Sequence, residues 1–137
     1  MAGIRILTWN VWGRNGPWEE RQGAIAAVLA AEAPDVICLQ EAWVVPDGPS
    51  QAALLAEQLG YQHVDADQHR RVRSAPTIGN AVLCRWPIER SETIWLPRLA
   101  GGLPYRPLSW TCQTARMLFG SRTQIWMWVS SLIQLPV

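Results

Sequence analysis

Pro34-Asp35-Val36-Ile37-Cys38-Leu39-Gln40-Glu41-Ala42-Trp43 is the stretch on which the fold turns. Val36 to Leu39 is a short apolar run, opened by a proline turn and too brief for a stable helix, so it predicts a buried strand. An amide and a carboxylate, Gln40 and Glu41, follow it directly. That places polar chemistry at the C-terminal lip of an interior strand, where α/β sheets collect ligands. A Glu after a strand more often opens a solvated loop, so the neighbours must decide.

Working outward, Ile4 to Trp9 predicts a second strand, ending at the polar Asn10. Val11 to Gly16 is a loop. Pro17 suits a first helical turn, and Glu19 and Glu20 complement its dipole. Trp18, Ile25, Val28 and Leu29 then recur at helical spacing until Pro34 ends the helix. Strand, helix and strand in so short a span predict a crossover that makes the two strands neighbours. Asn10 and Glu41 then lie together at one lip of one sheet.

Downstream, Ser50 is placed to cap a second helix with Leu54, Leu55 and Leu59 on its apolar side and Gly60 at its end. Tyr61 to Val64 predicts a strand. Asp65 to Pro76 is a polar loop whose Arg70, Arg71 and Arg73 could meet a phosphate, although a solvated face is the commoner outcome. Gly79 and Asn80 open a strand over Ala81 to Cys84, with Asn80 read as a turn residue. Glu89 to Leu96 predicts another strand; past Leu96 no clean period of either kind remains.

Composition bounds the reading. The chain has 137 residues and a formal net charge of +1, so charge alone points to neither nucleic acid nor membrane. The apolar Ile125 to Leu135 is shorter than the ~20 residues of a membrane span. Met1 to Arg5 has no signal-peptide pattern, and Cys38, Cys84 and Cys112 lack metal-ligand spacing. Reduced cysteines in a cytoplasmic protein are the expectation. The acids stop at Glu92, while Trp95, Trp110, Trp126 and Trp128 accumulate beyond it. This shift predicts a boundary near residue 100: an N-terminal unit over 1–100, then an aberrant, poorly ordered tail over 101–137.

Three segments in order carry a resemblance: Leu7 to Gly13 (LTWNVWG), Pro34 to Glu41 (PDVICLQE), and Gly79 to Ile88 (GNAVLCRWPI). Together they resemble the endonuclease/exonuclease/phosphatase superfamily, the DNase I-like fold, over roughly Ile4 to Leu96. Cys84 stands where that pattern usually has Ser. The resemblance implies an α/β protein, a four-layer α/β/β/α sandwich of which this chain is a truncated N-terminal half. It also implies a phosphoesterase dependent on Mg²⁺, with Mn²⁺ the alternative. Glu41 would be the metal-binding carboxylate and Asn10 the amide that orients metal and phosphate. The substrate would be a phosphate ester, with nucleic acid and phospholipid head groups both open. Where some members carry an Asp two residues after that Asn, this chain has Trp12.

The family's second half would add D-x-N and T-H motifs and a final D-H pair with the general base. His63 and His69 lie before those positions. An incomplete, inactive site is therefore expected, and a non-catalytic fragment or interaction module retaining half the fold is the competing reading. The tail from about Arg106 also invites a frameshifted reading. If each new codon takes the last base of one codon and the first two of the next, Trp110-Thr111 must encode Asp. Trp126-Met127-Trp128-Val129 must encode Asp-Val-Gly.

Overall fold

The computed structural model describes residues 4–65, 76–95, 111–117 and 123–129, with side chains over 4–65 and 76–91. Strand β1 (Ile6–Asn10) leads into helix α1 (Trp18–Glu32) and back to β2 (Val36–Val44), which pairs parallel to β1 from Ile6↔Val36 to Asn10↔Gln40. The crossover expected from strand–helix–strand spacing is thus present. Ala33 caps α1 in the left-handed region (φ 43°), and Pro34 prevents another turn.

Helix α2 (Gln51–Leu59) begins where Ser50 Oγ accepts the Ala53 N–H at 3.0 Å and ends at left-handed Gly60 (φ 71°), as its sequence predicts. Strands β3 (Gln62–Asp65) and β4 (Thr77–Cys84) complete a four-stranded sheet in the order β1-β2-β4-β3. A second sheet, β5 (Ile88–Trp95), β6 (Thr111–Met117) and β7 (Thr123–Val129), is antiparallel throughout and contacts the first through β3 and β4. The last two strands form where no period is evident in the sequence. The Arg cluster and His69 lie outside the described residues, as does part of the expected tail.

The core follows from strand alternation. Ile37 and Leu39 face the helices and meet Ile25, Leu29, Leu55 and Leu83. Val36 and Cys38 face the other way, with Val64, Val82 and Cys84. A strand covered on both sides must be apolar at every position, which is why Val36 to Leu39 lacks a polar alternate. Three expectations need correction. β2 does not stop at Leu39 but runs on to Val44. Asn80 is not a turn residue; it is buried inside β4. Val28 is 42% exposed, because the buried stripe of α1 is Ile25, Ala26 and Leu29.

Cys38 and Cys84 are buried and in no disulfide. Burial pushes Cys38 up to about 12 from an ordinary 9.0. Cys84, also raised by burial, donates to the Trp86 carbonyl at 2.9 Å. The sign for Cys38 is that of a raised acid: the unfolded thiol ionises first, so its contribution is intact below pH 9.0 and lost as pH climbs toward about 12. Across that window Cys38 is expected to add a downward slope of up to about 1.4 kcal/mol per pH unit. Urea midpoints of wild type and Cys38→Ala from pH 8 to 11 should converge as pH rises; parallel curves would show the thiol ionises freely.

Candidate functional site

At the C-terminal end of β1 the chain departs from its partner strand. β2 pairs Leu39 with Ala81 and Ala42 with Gly79 on β4, so Gln40 and Glu41 together oppose the single residue Asn80. This is a β-bulge, a device that re-aims side chains beside sites. Its backbone signature is Glu41 at φ 55°, a conformation disfavoured by roughly 1–3 kcal/mol for a non-glycine residue. Glu41 therefore stands at a kink inside β2, not on the loop after a strand, yet still level with the end of β1.

The loop after β1 is stitched to that kink. The Val11 N–H donates to Gln40 O at 2.9 Å, and the Gly13 N–H donates to Glu41 O at 2.8 Å. Gly13 sits at φ 51°, and a Cβ there would come within 2.8 Å of Ile78 Cγ2, so only glycine fits. Asn10 Oδ1 accepts the Trp12 N–H at 2.9 Å, leaving the Asn10 Nδ2 hydrogens to donate elsewhere. Arg21, reaching up from α1, donates to the carbonyls of Val11, Gly13 and Asn15 at 3.3, 3.0 and 2.8 Å. One guanidinium thus fixes the loop's shape from below.

The structure brings Asn10 and Glu41 to the same end of adjacent strands. Gln40 is engaged in structure, donating to Thr8 Oγ1 and the Cys38 carbonyl, each at 3.0 Å. Glu41 differs. It is 8% exposed, and among the described residues no donor reaches its carboxylate. Neither of its oxygens is among the sealed polar atoms that lack a partner, so the carboxylate keeps an opening through which a ligand can reach it. A hard divalent cation that keeps most of its waters needs only one or two carboxylates and accepts neutral oxygen donors, so this pair fits one. Among the described residues no cluster of three or more His, Cys, Asp or Glu stands ready to enclose a metal.

Sequence reasoning missed the aromatic–cation lining of this end. Arg14 lies over both Trp18 and Trp43, 4.6 and 4.2 Å from their ring centroids, and the two rings meet edge to face at 5.9 Å. Trp12 is 54% exposed, at φ 59°, with Arg21 5.2 Å from its ring centroid. The signal was present: Trp12 lies within the first motif, and Trp18 and Trp43 follow soon after the first and the second.

A sheet with two helices on one face and a second sheet on the other is the DNase I-like arrangement. The chain belongs to the endonuclease/exonuclease/phosphatase family, whose profile matches residues 7–131. Among solved structures it is similar to an endonuclease/exonuclease/phosphatase family protein from Leptotrichia buccalis, at 18% identity and TM-score 0.71, over 95% of this chain and 55% of that one. A Beutenbergia cavernae protein described as endonuclease/exonuclease/phosphatase is 26% identical, TM-score 0.61, over 90% of this chain and 36% of that one. The human Nocturnin catalytic domain with bound sulfate is 25% identical, TM-score 0.58, over 88% and 46%. The chain thus spans 36 to 55% of the length of these relatives and carries part of the fold. No curated protein matches.

Proposed function

We propose that this chain carries the metal- and phosphate-binding corner of a phosphoesterase and does not complete the reaction alone. The observation that supports this most is Glu41, a largely buried residue on a strained bulge whose carboxylate has no donor among the described residues. Glu41 would hold Mg²⁺ or Mn²⁺ together with water, and Asn10 would donate from Nδ2 to a phosphoryl oxygen. When bound, the cation polarises the phosphoryl group and stabilises charge on the leaving oxygen. An amide serves beside it because it adds a donor without adding repulsion. The sulfate on Nocturnin is the same shape of ligand. The two buried cysteines outside any disulfide support a reducing, cytoplasmic setting, and among the described residues no helix is long and apolar enough to cross a membrane.

The non-catalytic reading has its own observation. His63 lies on β3, at the opposite edge of the sheet from β1, 3.8 Å from Asp65. It is therefore no candidate for a base acting at Asn10 and Glu41. The proposed domain division, with 1–100 as the native unit and 101–137 as a shifted-frame tail, would account for this gap.

The test separates binding from turnover. Mn²⁺ binding to the 137-residue chain, followed by loss of the free-ion paramagnetic resonance signal, is expected to weaken by about tenfold or more in Glu41→Gln, since even outer-shell changes cost about 10–100-fold. Mg²⁺-dependent phosphodiester hydrolysis is expected to stay at background in both. Equal Mn²⁺ binding by the two proteins would remove Glu41 from the metal site. Robust hydrolysis by wild type would show that a general base is present after all.

A further inference from the structure

Trp12 is the most exposed aromatic side chain of the loop beside Glu41, and its position is set by the backbone on both sides. Val11 and Gly13 donate to the carbonyls of Gln40 and Glu41, so the Trp12 Cα is held across from the Gln40–Glu41 link. Its N–H is tied to Asn10 Oδ1, and its carbonyl accepts from Asn15 Nδ2 at 3.1 Å. A Cβ added at Gly16 would just reach the indole at 3.5 Å, and the Arg21 guanidinium lies 5.2 Å from its centroid, while more than half of the residue stays open. An aromatic plane is therefore presented in a fixed place next to the candidate phosphate site, in a left-handed conformation that a Trp does not adopt without constraint.

We propose that Trp12 is a stacking platform for a nucleobase, which makes the substrate class a nucleotide or single-stranded nucleic acid. The inference rests on the phosphoester reading of Asn10 and Glu41. Two chemistries could use an exposed indole: a flat base by stacking, or a quaternary ammonium by cation–π attraction. Arg21 decides between them. Its guanidinium already occupies the ring's electron-rich field at 5.2 Å and is held there by loop carbonyls, so it cannot withdraw. A second cation on that ring would meet its repulsion. A neutral base meets none, and the same positive charge draws the phosphates that flank it. Stacking on aromatic side chains tolerates any base, because every base has a π-face.

The experiment compares a fluorescent six-nucleotide deoxyadenylate strand with an abasic strand of equal length and charge, by anisotropy in Mg²⁺ with the full chain. The base-bearing strand is expected to bind about tenfold tighter, the lower part of what one stacked base supplies. Trp12→Ala should bring the two strands to equal affinity, and Trp12→Phe should restore most of the difference, with circular dichroism checking that both variants fold. Equal binding of the two strands by wild type, or a ratio unmoved by Trp12→Ala, overturns the proposal. So does displacement of the strand by phosphocholine that depends on Trp12, which would assign the ring to a quaternary ammonium. If both strands bind equally but lose affinity in Glu41→Gln, only the base platform falls. If neither binds in a Mg²⁺-dependent way, the phosphoester reading falls with it.

Discussion

Expression of the gene with the reading frame shifted from about codon 106 is expected to yield Mg²⁺-dependent phosphodiester hydrolysis at least about 10²-fold above that of the 137-residue chain. The size follows from the gap proposed above, since a positioned general base contributes about 10²–10⁴-fold. The direction follows from the genetic code. Between Glu92 and the C-terminus there is no acid, and four of the nine Trp crowd into the same span. One permitted shifted reading of Ser109 to Val129 is VDVPDGPNALWVTHTDLDVG. The Asp at Trp110-Thr111 and the Asp-Val-Gly at Trp126 to Val129 are obligatory; the T-H is allowed, because Arg122 before Thr123 can yield His. The reading restores apolar/polar alternation, a P-D-G turn and a second strand, which is a hairpin pattern. The rival is a genuine divergent segment, and it draws on the β6–β7 pairing and on the family match that continues to residue 131. The nucleotide sequence separates the two. A stop codon in the shifted frame within these positions ends the frameshift proposal, and an open frame without any gain in hydrolysis removes its functional content.

The parts of the molecule evident from residues alone are those where one local rule acts without competition. Ser50 and Gly60 bound α2 because a hydroxyl and a left-handed glycine have few other uses at those places. Val36 to Leu39 declared a two-sided strand by lacking any polar alternate. That Asn10 and Glu41 come to one end of adjacent strands could be read because each stands just past an apolar run. The geometry there could not. A bulge is a mismatch between two strands, and neither strand's sequence contains the other's register. Hence β2 seemed to end at Leu39, and Asn80, whose type favours turns, was misplaced although the bulge opposite holds it inside β4. The role of Arg21 was hidden for a similar reason. Its carbonyl partners belong to a loop whose shape exists only after β1 and β2 pair. In Val28 the helical period was right, but the buried stripe of α1 is narrower than the apolar one.

Leu39→Ala is expected to destabilise the chain by about 3–5 kcal/mol, a large share of the roughly 5–15 kcal/mol that holds a domain together. Leu39 is fully buried and stands between Trp9 on β1 and Ala81 on β4. Its cluster includes Ala42, Ala52, Ala56 and Ala81, side chains with no reach to fill a vacated space. The cavity would therefore persist, and a persistent cavity adds its own cost to the lost transfer free energy. Val28→Ala serves as the contrast: it removes two methyl groups from a residue 42% exposed and raises helix propensity, so its effect should stay within about 0.5 kcal/mol. Urea midpoints of the two variants test the layering directly. A loss below about 1 kcal/mol for Leu39→Ala would mean that α1 and α2 do not seal the sheet. In that case the bulge at Gln40-Glu41, which begins one residue further along the same strand, would lose the rigid support its strained backbone requires.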